Sequence, residues 1–450
     1  MRAPSRPHPG ILDKILSPFT VLEPGEAKNA LLLTLAIFLV LTAYYILKVI
    51  REPLILSASG GAELKSYTSA AQALLLLLVI PAYSAIANRV NRVRFITIVT
   101  LFFMSNIVVF YLMALAAMPG LGVAFFIWVG IFNLLIIAHF WSFANDVYTP
   151  EQGKRLFAII GFGQTLGATF GGIVSKVLIG HLRVHELMLV AGALLAAYLL
   201  VVRVVHFRVT HAPSGVAVPR EAAMVDRRGG FALVARDRYL LLIGLLLLLL
   251  NFVNTNGEYI LGRVVTGEAT RLVAAGQTDG MTSDEFTKQF IGAFYADYFT
   301  WVSVLTATIQ ILFVSRIMTR FGVRAALYVL PIVALGAYAI IAFVPLLALI
   351  RVAKVSENSL DYSLNNTVRQ ALFLPTTRDA KYKAKAAIDT LFVRAGDLSS
   401  AGLVFIGTLL ALQPRDFAIT NMALILVWLL IVIGIGRRHR VLMEAQREID

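Results

Sequence analysis

Cysteine is absent from the 450-residue chain, and charged residues make up only 15% of it. The lack of thiols excludes disulfide bonds, thiol catalysis and cysteine-ligated metal centres. The seven histidines show no metal-ligand spacing such as His-Glu-X-X-His. Soluble domains carry about 25% charged residues, so the low charge content also argues against a soluble enzyme. We therefore expect no enzymatic activity and no metal or other cofactor.

Apolar residues are abundant: 58% of the chain is hydrophobic and its mean hydropathy is +0.79. They occur in repeated uninterrupted runs of about 20 residues, the length that crosses a bilayer. A transmembrane β-barrel would instead alternate apolar and polar residues. The pattern predicts an all-α integral membrane protein with twelve transmembrane helices. The predicted spans are 30–50, 66–87, 95–118, 122–147, 156–179, 187–207, 239–261, 291–314, 325–344, 346–373, 384–411 and 417–436.

The positive charges indicate the orientation. The chain has 40 Lys and Arg against 26 Asp and Glu. With the N-terminus inside, the cytoplasmic segments hold 26 of the basic residues and the opposite segments hold 7. This bias predicts that both termini are cytoplasmic and that the basic charge does not serve nucleic-acid binding. No short apolar region with a cleavage site precedes the first span, so we expect no cleaved signal peptide in a bacterial-type inner membrane protein.

The longest cytoplasmic connection, residues 209–235, divides the predicted spans into two groups of six. We expect a cytoplasmic segment at 1–29, bundles at 30–208 and 236–436, an extracellular insertion at 262–290 and a cytoplasmic tail at 437–450. Two related six-helix bundles around a central cavity are the arrangement of major-facilitator-type transporters. The oligomeric state is left open.

Charged residues within the tenth span carry the strongest functional signal, because a charge near the bilayer centre costs several kcal/mol. Their spacing predicts one helical stripe. The stripe comprises Lys354, Asn358, Asp361, Asn365 and Arg369, flanked by Arg351 and Glu357. It would line a cavity, or it would form an internal ladder of ion pairs in which Lys354 binds Glu357 or Asp361.

Other spans also carry polar residues. Asn256–Gly257 is a poor helix former within the seventh span, and a break there would expose backbone beside Glu258. Lys48 and Arg51 near the end of the first span would line the path, or extend to the surface. In the eleventh span the spacing allows Lys385 to pair with Asp389 and Arg394 with Asp397. Lys381 and Lys383 precede these pairs. Two further charged candidates are Asp297 in the eighth span and Asp146 at the end of the fourth.

The glycine-rich tract of the fifth span lacks the pattern of a nucleotide-binding loop. Gly163, Gly167 and Gly171 recur every four residues. This spacing favours close packing against another membrane helix.

Four tracts of the sequence resemble the nucleotide transporter family, the ATP/ADP translocases of plastids and intracellular bacteria. They lie at 44–67, 140–168, 254–263 and 374–402 and contain YYILKVIREPLIL, FWSFANDVYTPEQGKR, NTNGEYILGR and KYKAKAAID. The resemblance implies a major-facilitator-like fold. It also implies exchange of ATP for ADP plus phosphate, or a related nucleotide uptake.

The resemblance also assigns residues. Arg51 stands where the family has a lysine, Glu258 matches an acid of the family, and Lys383 and Lys385 match its paired lysines. One position departs: a family glutamate upstream of the Phe-Trp of the second tract is replaced by Val129. A relative that carries another anionic substrate is therefore an open alternative.

The leading hypothesis is a secondary transporter that moves an anionic solute by alternating access, and the resemblance favours a nucleotide as that solute. The substrate-binding residues would be Lys48, Arg51, Glu258, Arg351, Lys354, Asp361, Lys383, Lys385 and Arg394. The ion-pair partners that gate the path would be Asp146, Asp297, Glu357, Asp389 and Asp397. The alternatives are a proton-coupled carrier that uses Glu258, Asp297 or Asp361, and a membrane scaffold or sensor without transport activity.

Overall fold

The computed structural model describes residues 26–87, 92–210, 230–344, 346–377 and 383–447. Parts of the predicted cytoplasmic segments, the linker, the tail, Pro345 and Lys381 lie outside these residues. Within them the chain is helical and contains no β-strand. The helices, numbered here in chain order, are α1 Glu26–Leu56, α2 Gly61–Ala87, α3 Arg92–Leu115, α4 Leu121–Val147, α5 Pro150–Ile179, α6 Leu187–Thr210, α7 Gly230–Arg236, α8 Arg238–Ala274, α9 Ser283–Ile309, α10 Ser315–Phe343, α11 Leu347–Leu360, α12 Asn366–Leu372, α13 Lys385–Ala387, α14 Val393–Leu409 and α15 Pro414–Arg447.

Three short π-helical segments continue these helices. Gln310–Val314 joins α9 to α10, Asp361–Asn365 joins α11 to α12, and Ile388–Phe392 joins α13 to α14. Each of the twelve predicted spans coincides with helix in the described residues. Nine helical ranges there are long and apolar enough to cross a bilayer. The chain is therefore a multi-pass membrane protein.

The stretch 262–290 is mostly helical. Its first part continues α8 to Ala274, and its last part opens α9 at Ser283, where the Thr282 hydroxyl caps the helix. Only the short turn between them is irregular. The predicted insertion is thus made by extension of two helices.

The chain divides into two compact units. The first comprises residues 1–51, 81–121 and 128–222, and the second comprises 52–80, 122–127 and 223–450. The core of the first unit includes an aromatic cluster in which the ring of Trp128 packs against Phe103, Phe110 and Phe132. In the second unit, α8 packs against α14 and α15, and α10 packs against α11 and α15.

The glycine tract of α5 packs against α1 within the first unit. A Cβ atom at Gly163, Gly167 or Gly171 would lie 2.5–2.7 Å from the backbone oxygen of Thr34, Phe38 or Thr42, respectively. The predicted packing role is confirmed. Helices in lipid gain little from hydrophobic burial, so such close backbone approach is a main source of their association.

Candidate functional site

A buried lysine shared by two carboxylates lies in the second unit. The Lys65 Nζ atom is 2.6 Å from Glu52 Oε2 and 3.5 Å from Glu258 Oε2. Glu52 is completely buried and Lys65 is 6% exposed. Glu52 lies near the end of α1, Lys65 near the start of α2 and Glu258 within α8. With both acids ionised, this cluster carries one net negative charge.

A tight turn between α1 and α2 sets the position of Lys65. Gly60 has a φ of +63°, a conformation that favours glycine. At Gly61 a Cβ atom would lie 2.4 Å from the Leu56 carbonyl oxygen. These glycines allow the chain to turn back closely enough for the Lys65 ammonium to contact the Glu52 carboxylate.

Two neutral donors bind the other side of the Glu258 carboxylate. The Asn358 side-chain amide donates to Glu258 Oε1 at 3.2 Å and to the Tyr298 hydroxyl at 2.6 Å. That hydroxyl donates to the same Glu258 oxygen at 3.4 Å. Of the two carboxylates that contact Lys65, Glu258 is the more exposed, at 23% of its side chain. Another anion could therefore take the place of Glu258 beside Lys65.

Lys354 forms a second ion pair that is closed to solvent. Its ammonium lies 2.8 Å from Glu357 Oε2 and 3.4 Å from the Tyr338 hydroxyl. Lys354 is 0% exposed and Glu357 is 4% exposed. The Tyr338 hydroxyl donates to the Val253 carbonyl at 2.9 Å. The predicted pairing of Lys354 with Glu357 is confirmed.

The expected break at Asn256–Gly257 is wrong, because α8 is continuous from Arg238 to Ala274. Gly257 serves a close contact instead. A Cβ atom there would lie 2.1 Å from the Tyr338 hydroxyl and 2.6 Å from Lys354 Nζ. Asn256 is fully buried, and its amide donates to Asn421 Oδ1 at 2.7 Å. Both residues therefore pack α8 against its neighbours.

A π-helical segment, Asp361–Asn365, lies within the predicted polar stripe. Its turn is wider than that of an α-helix. Across it the Asn365 amide still donates to Asp361 at 2.7 Å, and Arg369 donates to Asn366 at 3.3 Å. Asp361 and Asn365 thus stay in contact, and a single stripe over all five residues stays a prediction.

Two other ion pairs join predicted site residues. Arg351 lies 2.7 Å from Asp297, and Arg394 lies 3.3 Å from Asp397. Asp397 also accepts a hydrogen bond from Thr255 at 2.8 Å. The Arg351 side chain is 40% exposed, which makes it the more accessible of the two arginines.

The other predicted residues have different surroundings. Lys385 donates a hydrogen bond to Gln370 instead of forming the expected ion pair with Asp389, which is exposed in a π-helical segment. Lys383 is half-buried just before α13. Three predicted residues of the first unit are half-buried: Lys48, Arg51 and Asp146. The Lys48 ammonium lies 5.3 Å from the centre of the Tyr45 ring.

Sequence reasoning missed Lys65 and the contacts around it. The signal was available, because two of the tracts on which the resemblance rests meet here. Lys65 of the first tract contacts Glu258 of the third, and Glu63 binds Arg263 and accepts a hydrogen bond from Tyr259 at 3.1 Å. A basic residue of one tract and an acidic residue of another could have been proposed as a candidate ion pair.

No group of three or more His, Asp or Glu side chains suited to a metal ion occurs in the part of the chain that the structure describes. The site is therefore characterised by ammonium and guanidinium groups paired with carboxylates. Such cations are the usual ligands of phosphate oxygens.

Residues 334–439, which contain the Lys354–Glu357 and Arg394–Asp397 pairs, match the family described as TLC ATP/ADP transporter. The similarity to these carriers includes that segment of the chain. The resemblance seen in the four tracts is thereby confirmed. It is a relationship to carriers and not to enzymes.

Curated relatives extend the similarity beyond that segment. ADP,ATP carrier protein 1 of Chlamydia trachomatis is 22% identical over 342 residues, which cover 66% of this chain and 61% of the relative. The protein of the same name from Chlamydia pneumoniae is 21% identical over 341 residues, 66% of this chain and 63% of the relative. The chain thus spans less than two thirds of the length of these relatives.

Solved transporters share the fold. The nucleoside transporter NupG superposes with a TM-score of 0.64 at 13% identity, over 90% of this chain and 98% of that one. A bacterial homologue of the iron transporter ferroportin gives 0.61 at 13% identity, over 91% and 98%. A bacterial homologue of the lysosomal transporter Spinster gives 0.58 at 15% identity, over 94% and 99%. The chain thus shares the fold of these three proteins.

Proposed function

We propose that the protein is a secondary transporter that exchanges nucleotides of the ATP/ADP type by alternating access. In this proposal the chain crosses a bacterial-type inner membrane twelve times, in two bundles of six helices, with both termini in the cytoplasm. The substrate is a small anion, and nucleic acid is not a partner. The similarity to ADP,ATP carrier proteins of Chlamydia supports the choice of nucleotide.

The observation that supports the proposal most directly is Lys65 between Glu52 and Glu258. A polyphosphate that crosses a low-dielectric region requires cations, and a cation buried there requires a counter-ion when substrate is absent. Lys65 has two. Substrate phosphate would replace the partly exposed Glu258, while completely buried Glu52 would keep its contact with Lys65.

Exchange follows from this competition. When the phosphate leaves, the Lys65–Glu258 pair re-forms, and the empty carrier is held in one conformation until another anion displaces Glu258. Arg351, paired with Asp297 and 40% exposed, offers a second cation of the same kind. Lys354 is fully buried, so in this scheme it stabilises α8 and α11 around the site.

The test is counter-exchange in proteoliposomes. Vesicles that contain purified protein and internal ADP should take up labelled external ATP, and empty vesicles should not. Lys65→Gln should slow this uptake at least about tenfold, because a hydrogen bond to a charged group contributes about 1.5–3 kcal/mol. Lys288→Gln is the matched control, since Lys288 forms an exposed pair with Asp284.

Two outcomes would contradict the proposal. If a panel of nucleotides and sugar phosphates gave no flux, the protein would not be an anion carrier. If uptake required a pH gradient but no internal nucleotide, the proton-coupled alternative would replace exchange, and Glu258 would be the first residue to examine.

A further inference from the structure

A cavity of about 900 Å³ lies between the start of α10 and the last turns of α15, within the second unit. Its lining on the α10 side runs from Phe321 to Tyr328, and Gly322 at a φ of +74° and a ψ of 170° makes a sharp bend there. On the α15 side it runs from Ile433 to Glu444. None of these residues belongs to the ion pairs described above.

Three arginines give the cavity a positive lining: Arg324, Arg437 and Arg440, all of which are exposed. Among the described lining residues Glu444 is the sole carboxylate, and Arg440 already binds it at 2.7 Å. The lining therefore keeps two positive charges in excess. A guanidinium pair in this setting suits a phosphate group.

The cavity opens at the end of an exposed apolar stripe on α15. Leu426, Leu430 and Ile433 are 54%, 67% and 36% exposed. Their spacing of four and three residues continues without a change of face to Arg437 and Arg440. On a helix that is apolar enough to span a bilayer, this stripe would contact acyl chains, and the arginines would lie where the hydrocarbon ends.

The neighbouring helix repeats the pattern. On α10 the exposed residue Ile332, which is 57% exposed, lies four residues from Tyr328 and on the same side of the helix. Tyr328 lines the cavity and Phe321 stands at its edge, 61% exposed. Aromatic side chains of this kind are enriched at the level of lipid headgroups.

We propose that this cavity binds the headgroup of an acidic phospholipid. Arg324 and Arg437 contact the phosphate, and one acyl chain lies along Ile433, Leu430 and Leu426. Basic pockets between membrane helices are the recognised setting for acidic lipid headgroups. A soluble nucleotide lacks the acyl chains that the apolar stripe would cover, so the stripe favours a lipid.

Native mass spectrometry of the purified full chain tests the proposal. Protein in neutral detergent is mixed with equal amounts of phosphatidylglycerol and phosphatidylcholine. We expect preferential retention of phosphatidylglycerol. Arg324→Gln and Arg437→Gln should each reduce that retention about fivefold, the effect of one basic residue near an acidic headgroup.

Arg415→Gln is the matched control. Arg415 lies at the opposite end of α15, where its guanidinium is 5.6 Å from the centre of the Phe343 ring at the opposite end of α10. It should not change the retention. Equal retention of the two lipids by the wild type, or equal losses in all three variants, would overturn the proposal.

A second measurement uses the unaltered protein, in case the variants do not fold. Phosphatidylglycerol with a photoreactive headgroup should label peptides that contain residues 321–328 and 433–444. Labelling spread over the basic ends of several helices would refute a defined site. If ADP abolished this labelling in competition, the cavity would belong to a soluble phosphate compound and not to a lipid.

Discussion

Two seams within the molecule are built on different principles. In the first unit α5 packs against α1 through glycines, and the contacts are between backbone atoms: a Cβ at Gly167 would meet the Phe38 oxygen at 2.5 Å. In the second unit α8 contacts its neighbours beside charged side chains. Glu258 binds Lys65, and Gly257 makes room for the Lys354 ammonium.

The two seams differ in whether their contacting groups can change partners. A backbone carbonyl against a glycine has no alternative partner, so that seam fixes the relative position of two helices. An ammonium between two carboxylates can lose one and retain the other. A buried charge without any partner is, by contrast, strongly destabilising. Removing every partner of a buried charge in the ionic seam is therefore costly, but another anion can replace one carboxylate.

The largest effect should come from breaking the closed ion pair. Lys354→Met leaves the Glu357 carboxylate buried opposite an apolar side chain, which should lower the free energy of unfolding by about 3–5 kcal/mol. Combining it with Glu357→Leu should recover much of the loss. Thermal unfolding in detergent measures both variants. A Lys354→Met protein as stable as the wild type would show that the pair does not support the seam.

A smaller but definite loss is expected in the glycine seam. Gly167→Ala forces a methyl group against the Phe38 backbone and should cost about 1–3 kcal/mol by overpacking. Gly161→Ala in the same helix has no neighbouring atom within 4 Å, so it should be neutral or slightly stabilising. Unfolding temperatures of the two variants compare them directly. Equal losses would mean that helix α5 tolerates no alanine for reasons other than packing.

The smallest effect should follow from loss of an exposed ion pair that lies outside both seams. Lys288 binds Asp284 at 2.7 Å on the surface of α9, with side chains 37% and 65% exposed. Exposed pairs four residues apart contribute about 0.3–0.5 kcal/mol or less. Asp284→Asn should leave the unfolding temperature within error of the wild type. A shift comparable to that of Lys354→Met would contradict the ranking by burial.

Apolar run length and local spacing predicted much of this structure. Every predicted span coincides with helix. Spacing alone indicated the glycine seam and the pair Arg394–Asp397, and it limited the partner of Lys354 to Glu357 or Asp361. These contacts are three or four residues apart or repeat along one helix, so helical geometry determines them. All of the predicted substrate ligands, including Lys48, Arg51 and Lys383, stay predictions.

Contacts between distant segments could not be predicted in this way. Lys65 and Glu258 are brought together by the packing of α2 against α8, which no local pattern encodes. The misread Gly257 has the same origin, since its role depends on Tyr338 and Lys354 from two other helices. The π-helical segment at Asp361–Asn365 was not predicted either, because the sequence was read with ideal α-helical spacing.

The length of α8 has a practical consequence. Its 37 residues extend about 55 Å, well beyond the roughly 30 Å of hydrocarbon. With the predicted span 239–261 in the membrane, the end that carries Glu268 and Arg271 would project outside the bilayer, next to the start of α9. This projecting hairpin is a handle for an antibody fragment, which would add mass for electron microscopy without touching the ion pairs inside the membrane.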